Sequence, residues 1–176
     1  YMQGLVDRGE RAGIVAIVAR GGHIVHLGEY GMRDVANRKP MRANTLVRLY
    51  GMTEPVTAVA VMMLLEQGLL QLDDPIGNYL PELKSLQVLT KQPNGKYKQE
   101  PAKRPVTIRH LLTHTSGFAY EYPKAVQYKR DAVVGQGQTL ATMVAQLAKL
   151  PLLHHPGDAA TPGPGVNVLA RLVEVV

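Results

Sequence analysis

The feature that most constrains this sequence is an apolar run in its first half. Residues 56–65, VTAVAVMMLL, contain only one polar residue, Thr57. They lie in a stretch that predicts a helix from about Thr53 to Gln67, ended by Gly68. A helix that is apolar on every side is typical of one that other elements surround. A chain of 176 residues can rarely surround a helix completely, so we expect that some covering elements lie outside it.

The composition permits a packed domain and excludes several kinds of site. Apolar residues make up 45% of the chain, with one Phe and no Trp, so aliphatic side chains must form most of the core. The absence of cysteine excludes disulfides, thiolate zinc sites and a cysteine nucleophile. The apolar run Ala58–Leu65 is far too short to cross a bilayer, so we expect no membrane partner.

The chain is basic, with a formal net charge of +6. Its only dense basic stretch is residues 91–104, KQPNGKYKQEPAKR, in which two prolines and a glycine predict a solvated loop. Nucleic-acid binding would need clustered Lys and Arg with stacking aromatic residues or a known module, and this stretch carries a single tyrosine. We therefore expect a solvated basic surface and no nucleic-acid partner.

Local patterns predict a hairpin followed mainly by helices. Residues 13–31 contain two β-rich runs around Gly21-Gly22, a pair that can adopt the positive φ angles of a hairpin turn. The first run alternates poorly, which predicts a strand buried on both faces. Helices are expected in five segments: 53–67, 72–83, 107–117, 139–153 and 166–176. The sequence thus predicts an α+β fold, with a sheet-contributing region at 1–50 and a mainly helical region at 51–176.

Four segments, in this order, carry a resemblance to a known family. They are the hairpin at 13–31, GMTEPVTAVAVMMLLEQGLLQLDDPIGNYLPEL at 51–83, VTIRHLLTHTSGF at 106–118 and PGDAATPGPGVNVLARLVEVV at 156–176. Together they resemble the serine β-lactamase and penicillin-binding-protein superfamily, nearest to class C β-lactamases and family VIII carboxylesterases.

The resemblance implies a single, partial β-lactamase-like domain over residues 1–176. Its fold would be an antiparallel sheet packed with helices plus a helical region, and only the N-terminal half of a family member. The family's third motif, a strand with Lys-Thr-Gly or His-x-Gly, would lie beyond Val176.

In the resembled family the first motif is Ser-x-x-Lys at the start of a helix. The serine attacks a carbonyl carbon beside N–H donors that hold the oxyanion, and the lysine, one turn on, relays a proton. The matching positions here hold Gly51 and Glu54. Glycine has no side chain that can attack, and a carboxylate would repel a developing oxyanion. The hydroxyl of Thr53 lies two positions from Gly51 and would face elsewhere.

The second motif of the family supplies a tyrosine, as Tyr-x-Asn or Tyr-Ser, that shuttles a proton. Counting back from VNVLARLVEVV places this tyrosine at Pro162 and the next residue at Gly163, and neither can transfer a proton. The resemblance therefore implies three degenerate catalytic positions: Gly51, Glu54 and Pro162. It also implies a serine hydrolase ancestry in which ester or β-lactam acyl transfer is impaired.

Three functions stay open at the level of sequence. The first is a catalytically impaired homologue that forms no measurable acyl-enzyme. The second is a non-catalytic binding or scaffold protein, which would hold a small ester or β-lactam-like ligand, a second chain or the missing C-terminal half. The third is residual ester hydrolysis by a water that Glu54 activates. A simpler role for Glu54 is structural, because the helix dipole favours a carboxylate near a helix start and such a residue can take part in capping.

Histidines and tyrosines near the third segment invite binding hypotheses. His110 and His114 have the spacing of zinc-hydrolase helices, but no glutamate lies between them, so we expect no metal site and no cofactor. Tyr120, Tyr122 and Tyr128 follow the HTSGF sequence. Because this region forms part of the substrate rim in the resembled family, Tyr120 is a candidate substrate-binding residue, and a packed surface tyrosine is the simpler alternative.

Overall fold

The chain is described by a computed structural model that covers residues 1–123 and 137–176. Within these ranges the chain divides into two compact units, Tyr1–Tyr50 and Gly51–Val176. Helices occur together with two antiparallel sheets, which confirms the predicted α+β class. No helix in the described ranges is long and apolar enough to span a membrane.

The first unit is built around a hairpin. It contains helix α1 (Met2–Asp7) and strands β1 (Gly13–Arg20), β2 (His23–Asp34) and β3 (Lys39–Pro40), in the sheet order β1-β2-β3. The β1–β2 turn places Gly21 and Gly22 at φ angles of 57° and 77°. Glycine adopts such angles without the steric penalty of a side chain, so the predicted hairpin is confirmed together with its physical cause.

The sheet of the first unit leaves its apolar side chains in solvent. All of residues 1–50 are described, and none of their apolar side chains is buried. The exposed large apolar side chains of β1 and β2 are Ile17, Val18, Ile24, Val25, Leu27 and Met32. The prediction that β1 is buried on both faces is therefore wrong for this chain. The residue pattern is that of a covered strand, whereas Ile14, Val15 and Ala16 are only half-buried and the second half of β1 is exposed.

The second unit holds the hydrophobic core. Its helices are α2 (Thr53–Glu66), α3 (Ile108–Leu112), α4 (Leu140–Leu147) and α5 (Gly165–Val175), and its strands are β4 (Gln87–Lys91) and β5 (Tyr97–Pro101). Helix α5 packs against α2, α3 and α4 and buries Val168, Leu169 and Leu172. The core is aliphatic apart from Phe118 and Met143, as the composition predicts.

Helix α2 has the predicted bounds but not the predicted burial. Only Val61 of its 14 residues is buried, and Val56 and Val59 are 63% and 59% exposed. The prediction of a helix enclosed on every side is wrong for the described chain, because α5 is the helix that packs against α2 and it covers one side. The expectation that covering elements lie outside the chain stays a prediction.

The basic stretch at 91–104 is not simply a loop. Strand β5 occupies part of it and pairs antiparallel with β4, from Gln87 opposite Pro101 to Lys91 opposite Tyr97. The missed signal is Asn94-Gly95, a dipeptide that favours a tight turn between strands. Gly95 has a φ of 78°, a positive angle that glycine can adopt in the tight turn between the two strands.

The predicted short helix at 72–83 is instead two 3-10 turns, Ile76–Asn78 and Pro81–Leu83. The phenol of Tyr79 donates a 2.6 Å hydrogen bond to the Asp74 carboxylate. Burial first, and then this hydrogen bond, raise the pKa of Tyr79 to about 12. A pKa above the ordinary value means that the neutral phenol stabilises the fold below pH 10, and that this contribution is lost as the pH rises toward 12.

We expect Tyr79→Phe to lower the free energy of unfolding at pH 7 by about 1 kcal/mol, because one partly buried hydrogen bond is lost. The unmodified chain should lose stability between pH 10 and pH 12 more steeply than this variant does. Urea unfolding at pH 7, 10 and 11.5 measures both effects. The control is Tyr97→Phe, on β5; equal pH dependence in the unmodified chain and Tyr79→Phe would contradict the assignment.

Candidate functional site

The start of helix α2 presents the first two candidate positions. Gly51 lies in a 3-10 turn, Tyr50–Met52, that leads into the helix. A Cβ built at Gly51 meets no atom within 4 Å, so the position has room for a side chain that the sequence does not provide. At the neighbouring Thr53, the backbone carbonyl accepts a hydrogen bond from the Thr57 hydroxyl at 3.1 Å.

Glu54 faces an imidazole and not the helix end. Helix α2 has no side-chain capping hydrogen bond, so the capping role expected for Glu54 is absent, although its place in the first turn still suits the helix dipole. One carboxylate oxygen, Oε2, lies 3.4 Å from Nε2 of His114. The two side chains are 39% and 40% exposed, so this pair lies at the edge of solvent.

The segment after helix α3 brings His114 to this place. Thr107 caps the helix by accepting from the His110 backbone N–H at 3.2 Å, and Nδ1 of His110 accepts from the Thr107 N–H at 3.2 Å. Burial, and then the charge of Arg104, lower the pKa of His110, which keeps its ring neutral and able to accept. The helix then ends at Leu112, and His114 takes a φ of 57°, unusual for a residue with a side chain.

Glu54 and His114 both line an open cavity of about 250 Å³. Helices α2, α3 and α5 supply its other walls, all of them apolar: Pro55, Ala58, Leu111, Leu112, Val166 and Leu169. The cavity is therefore a hydrophobic cleft with one carboxylate–imidazole pair at its edge.

The loop that carries Pro162 is tied to the same region. The backbone N–H of Thr161 donates to the carbonyl oxygen of His114 at 2.8 Å. Farther back in the loop, the Arg104 guanidinium donates to the Pro156 carbonyl at 2.5 Å and to the Asp158 carboxylate at 2.7 Å. The hydrogen bond from Arg104 lowers the pKa of Asp158, so this carboxylate is charged at neutral pH.

Pro162 and Tyr120 meet in a second open cavity of about 350 Å³, which Ala119, Glu121 and Thr161 also line. The next residue, Gly163, approaches the neighbouring backbone closely. A Cβ at position 163 would lie 2.1 Å from the carbonyl oxygen of Phe118. The loop can therefore hold this course only with glycine at 163.

The structure thus places the candidate residues in two neighbouring clefts. Glu54 lines the first, Pro162 and Tyr120 line the second, and the His114–Thr161 backbone hydrogen bond connects the two. Gly51 lines neither cleft. His114 is a residue of this site that the sequence did not indicate, because its spacing from His110 was considered only for a metal site, which was not expected; its approach to Glu54 is visible only in the fold.

The other binding hypotheses find little support in the described chain. The Tyr122 hydroxyl donates to the Pro151 carbonyl at 2.8 Å, which is a packing role, and Tyr128 lies outside the described residues. Across residues 1–123 and 137–176, no group of three or more His, Cys, Asp or Glu side chains is placed to hold a metal ion.

A family model and curated relatives match this chain over most of its length. The Beta-lactamase family model matches residues 1–176. Protein Rv1367c of Mycobacterium tuberculosis is 39% identical over 171 residues, which are 95% of this chain and 42% of that protein. Esterase EstB of Burkholderia gladioli is 36% identical over 168 residues, 92% of this chain and 40% of the esterase. This chain spans about two fifths of the length of these curated relatives.

Solved structures agree with the sequence relatives. EstCE1, described as a hydrolase with promiscuous acyltransferase activity, superimposes with a TM-score of 0.80 at 30% identity, over 98% of this chain and 44% of that one. Simvastatin synthase (LovD) from Aspergillus terreus gives a TM-score of 0.76 at 27% identity, over 99% of this chain and 45% of that one. The predicted β-lactamase-like fold, corresponding to the N-terminal part of these proteins, is confirmed, and the chain belongs to the β-lactamase family, which includes esterases and acyltransferases.

Proposed function

We propose that this chain is a catalytically impaired member of the β-lactamase and esterase family. The observation that carries the proposal is the pair at the start of α2: Glu54 faces His114 at 3.4 Å, one turn from a position, Gly51, that has no side chain. Family chemistry, as the Ser-x-x-Lys motif defines it, requires a hydroxyl and an amine at these two places.

Each of the three positions fails at a different step. At position 51 there is no oxygen to form the acyl bond. At position 54 a carboxylate would repel the oxyanion that forms when a carbonyl is attacked. At position 162 the proline ring has no proton to give to a leaving group. The loss at all three places, within a framework that keeps the family fold, supports an ancestry in ester or β-lactam acyl transfer without the activity.

We expect no acyl-enzyme when the chain is treated with a fluorophosphonate or a β-lactam, because no nucleophile stands at the head of α2. Intact-mass spectrometry with peptide mapping is the measurement. The repaired variant Gly51→Ser, Glu54→Lys and Pro162→Tyr is the comparison, since position 51 has room for the serine side chain. A stoichiometric adduct on residues 51–54 of the unmodified chain would contradict the proposal.

A separate assay tests the alternative that a water activated by Glu54 hydrolyses esters. A carboxylate beside an imidazole can accept a proton from water, so this alternative has its own signature in a colorimetric ester assay. It requires turnover without a covalent adduct, and loss of that turnover in Glu54→Gln. Absence of turnover in the unmodified chain would rule out this alternative.

Exposed apolar surface favours a second candidate, a scaffold that binds another polypeptide. Val56, Val59 and Met63 of α2 are more than half exposed, and so are several side chains of the β1–β2 hairpin. Large exposed apolar patches are typical of interaction sites, and each of these two elements exposes several apolar side chains. The occupant in this proposal is a polypeptide that matches the remaining three fifths of the relatives, either continuous with this chain or separate from it.

We expect the 176-residue chain alone to associate, and to become a defined complex when it is produced together with such a polypeptide. Multi-angle light scattering after gel filtration measures the mass of each species. Val56→Ser with Val59→Ser should reduce self-association, because both side chains are exposed on α2. A stable, well-folded monomer of 19.2 kDa without any partner would argue against this candidate.

A further inference from the structure

The cleft beside Glu54 combines two properties that select a ligand. Its walls are aliphatic, from Pro55 and Ala58 on α2, Leu111 and Leu112 on α3, and Val166 and Leu169 on α5. Its edge carries one charged group, the Glu54 carboxylate, which is only partly exposed. An apolar wall favours a hydrocarbon group, and a lone carboxylate favours a positive charge.

The negative charge of Glu54 has no permanent positive partner in the described chain. Its sole ion-pair contact there is with Nε2 of His114, through Oε2, and no lysine or arginine pairs with it among residues 1–123 and 137–176. Carboxylates accept several hydrogen bonds at once. The second oxygen, Oε1, is therefore left to accept from a ligand.

We propose that this cleft binds a small organic ammonium ion, with its hydrocarbon group against the aliphatic walls and its N–H donors on Glu54. Replacement of the family's lysine by glutamate reverses the charge at this position, so the chemistry that suited an anionic or developing-anionic group now suits a cation. The same charge disfavours the binding of carboxylate and phosphate compounds. The inference goes beyond the proposed loss of acylation and does not depend on it, because it uses no catalytic step.

The test uses three probes of one shape and different charge: benzylammonium, benzyl alcohol and benzoate. Binding to the ¹⁵N-labelled chain at pH 7.5 is followed by NMR chemical-shift changes. We expect benzylammonium to bind about fivefold more tightly than benzyl alcohol, the scale of a partly exposed charge pair, and benzoate to bind least. The shifts should cluster at residues 54–58, 111–114 and 166–169.

Substitutions at the two ends of α2 distinguish the effect of the Glu54 charge at the cleft from the effect of the protein's overall charge. Glu54→Gln should remove the preference for benzylammonium over benzyl alcohol, and Glu54→Lys should make benzylammonium bind more weakly than benzyl alcohol. Glu66→Gln, at the other end of α2, should change neither. Equal affinities of the two probes for the unmodified chain, an equal effect of Glu66→Gln, or shifts confined to other residues would each overturn the proposal.

Discussion

Leu152→Ala is expected to lower the free energy of unfolding by about 3 kcal/mol, the centre of the range for buried leucine truncations. Leu152 is fully buried, with 0% of its surface exposed. It also lies where three segments meet. Its N–H donates to the Gln87 carbonyl at 2.7 Å, its carbonyl accepts from the Leu89 N–H at 2.8 Å, and the next N–H, of Leu153, donates to Gly117 at 2.8 Å.

The truncation would therefore leave a cavity between the β4–β5 hairpin and the Gly117 turn that follows His114. Urea unfolding followed by circular dichroism gives the change in stability. The matched control is Leu69→Ala, because Leu69 is 49% exposed and should cost at most about 0.5 kcal/mol, as surface substitutions usually do. Similar losses for the two variants would show that Leu152 does not hold these segments together.

Gly163→Ala is expected to cost about 2 kcal/mol, because overpacking a closed site forces the backbone to move. The added Cβ would lie 2.1 Å from the Phe118 carbonyl oxygen and 2.7 Å from its carbon. Both atoms belong to the main chain, so no side chain can rotate away to relieve the contact. We also expect shifts in the NMR signals of residues 118–120, because Phe118 carries the contacted carbonyl group and Ala119 and Tyr120 line the cleft that they share with Pro162.

The control is the same substitution at Gly51. A Cβ at Gly51 meets nothing within 4 Å, so Gly51→Ala should leave stability unchanged or raise it by up to about 1 kcal/mol through the unfolded state. The two positions differ most in the space around the new methyl group, since Gly51 is exposed and Gly163 is buried. A tolerated Gly163→Ala would mean that the loop can relax, and that a serine could also be restored at 163.

Features that depend on neighbouring residues were predictable from the sequence. The Gly21-Gly22 turn forms because both residues can take positive φ, and α2 ends before Gly68, whose φ is 73°. Thr107 caps α3 as its hydroxyl chemistry predicts. Family membership was also within reach, because several short segments in one order carry more information than any of them alone.

Predictions that needed distant partners failed more often. Strand β5 was assigned to a loop, because the prolines and the glycine of residues 91–104 suggest a loop and the partner strand β4 is identified only in the fold. The predictions that β1 and α2 are buried on all sides were wrong. Apolar residues indicate that a surface is suited to burial, but they do not show which elements pack against it. Glu54 was expected to cap a helix, and its neighbour is a side chain 60 residues later in the sequence.

The sequence by itself determined the family fold, most of the helix starts and the turns, and its resemblance to the family predicts that the three reactive positions hold Gly51, Glu54 and Pro162. Only the tertiary structure decided that Glu54 faces His114, that Pro162 shares a cleft with Tyr120, and that Gly163 leaves no room for a side chain. The reason is physical: backbone conformation is governed by residues a few positions apart, whereas a site is made by side chains that only packing brings together.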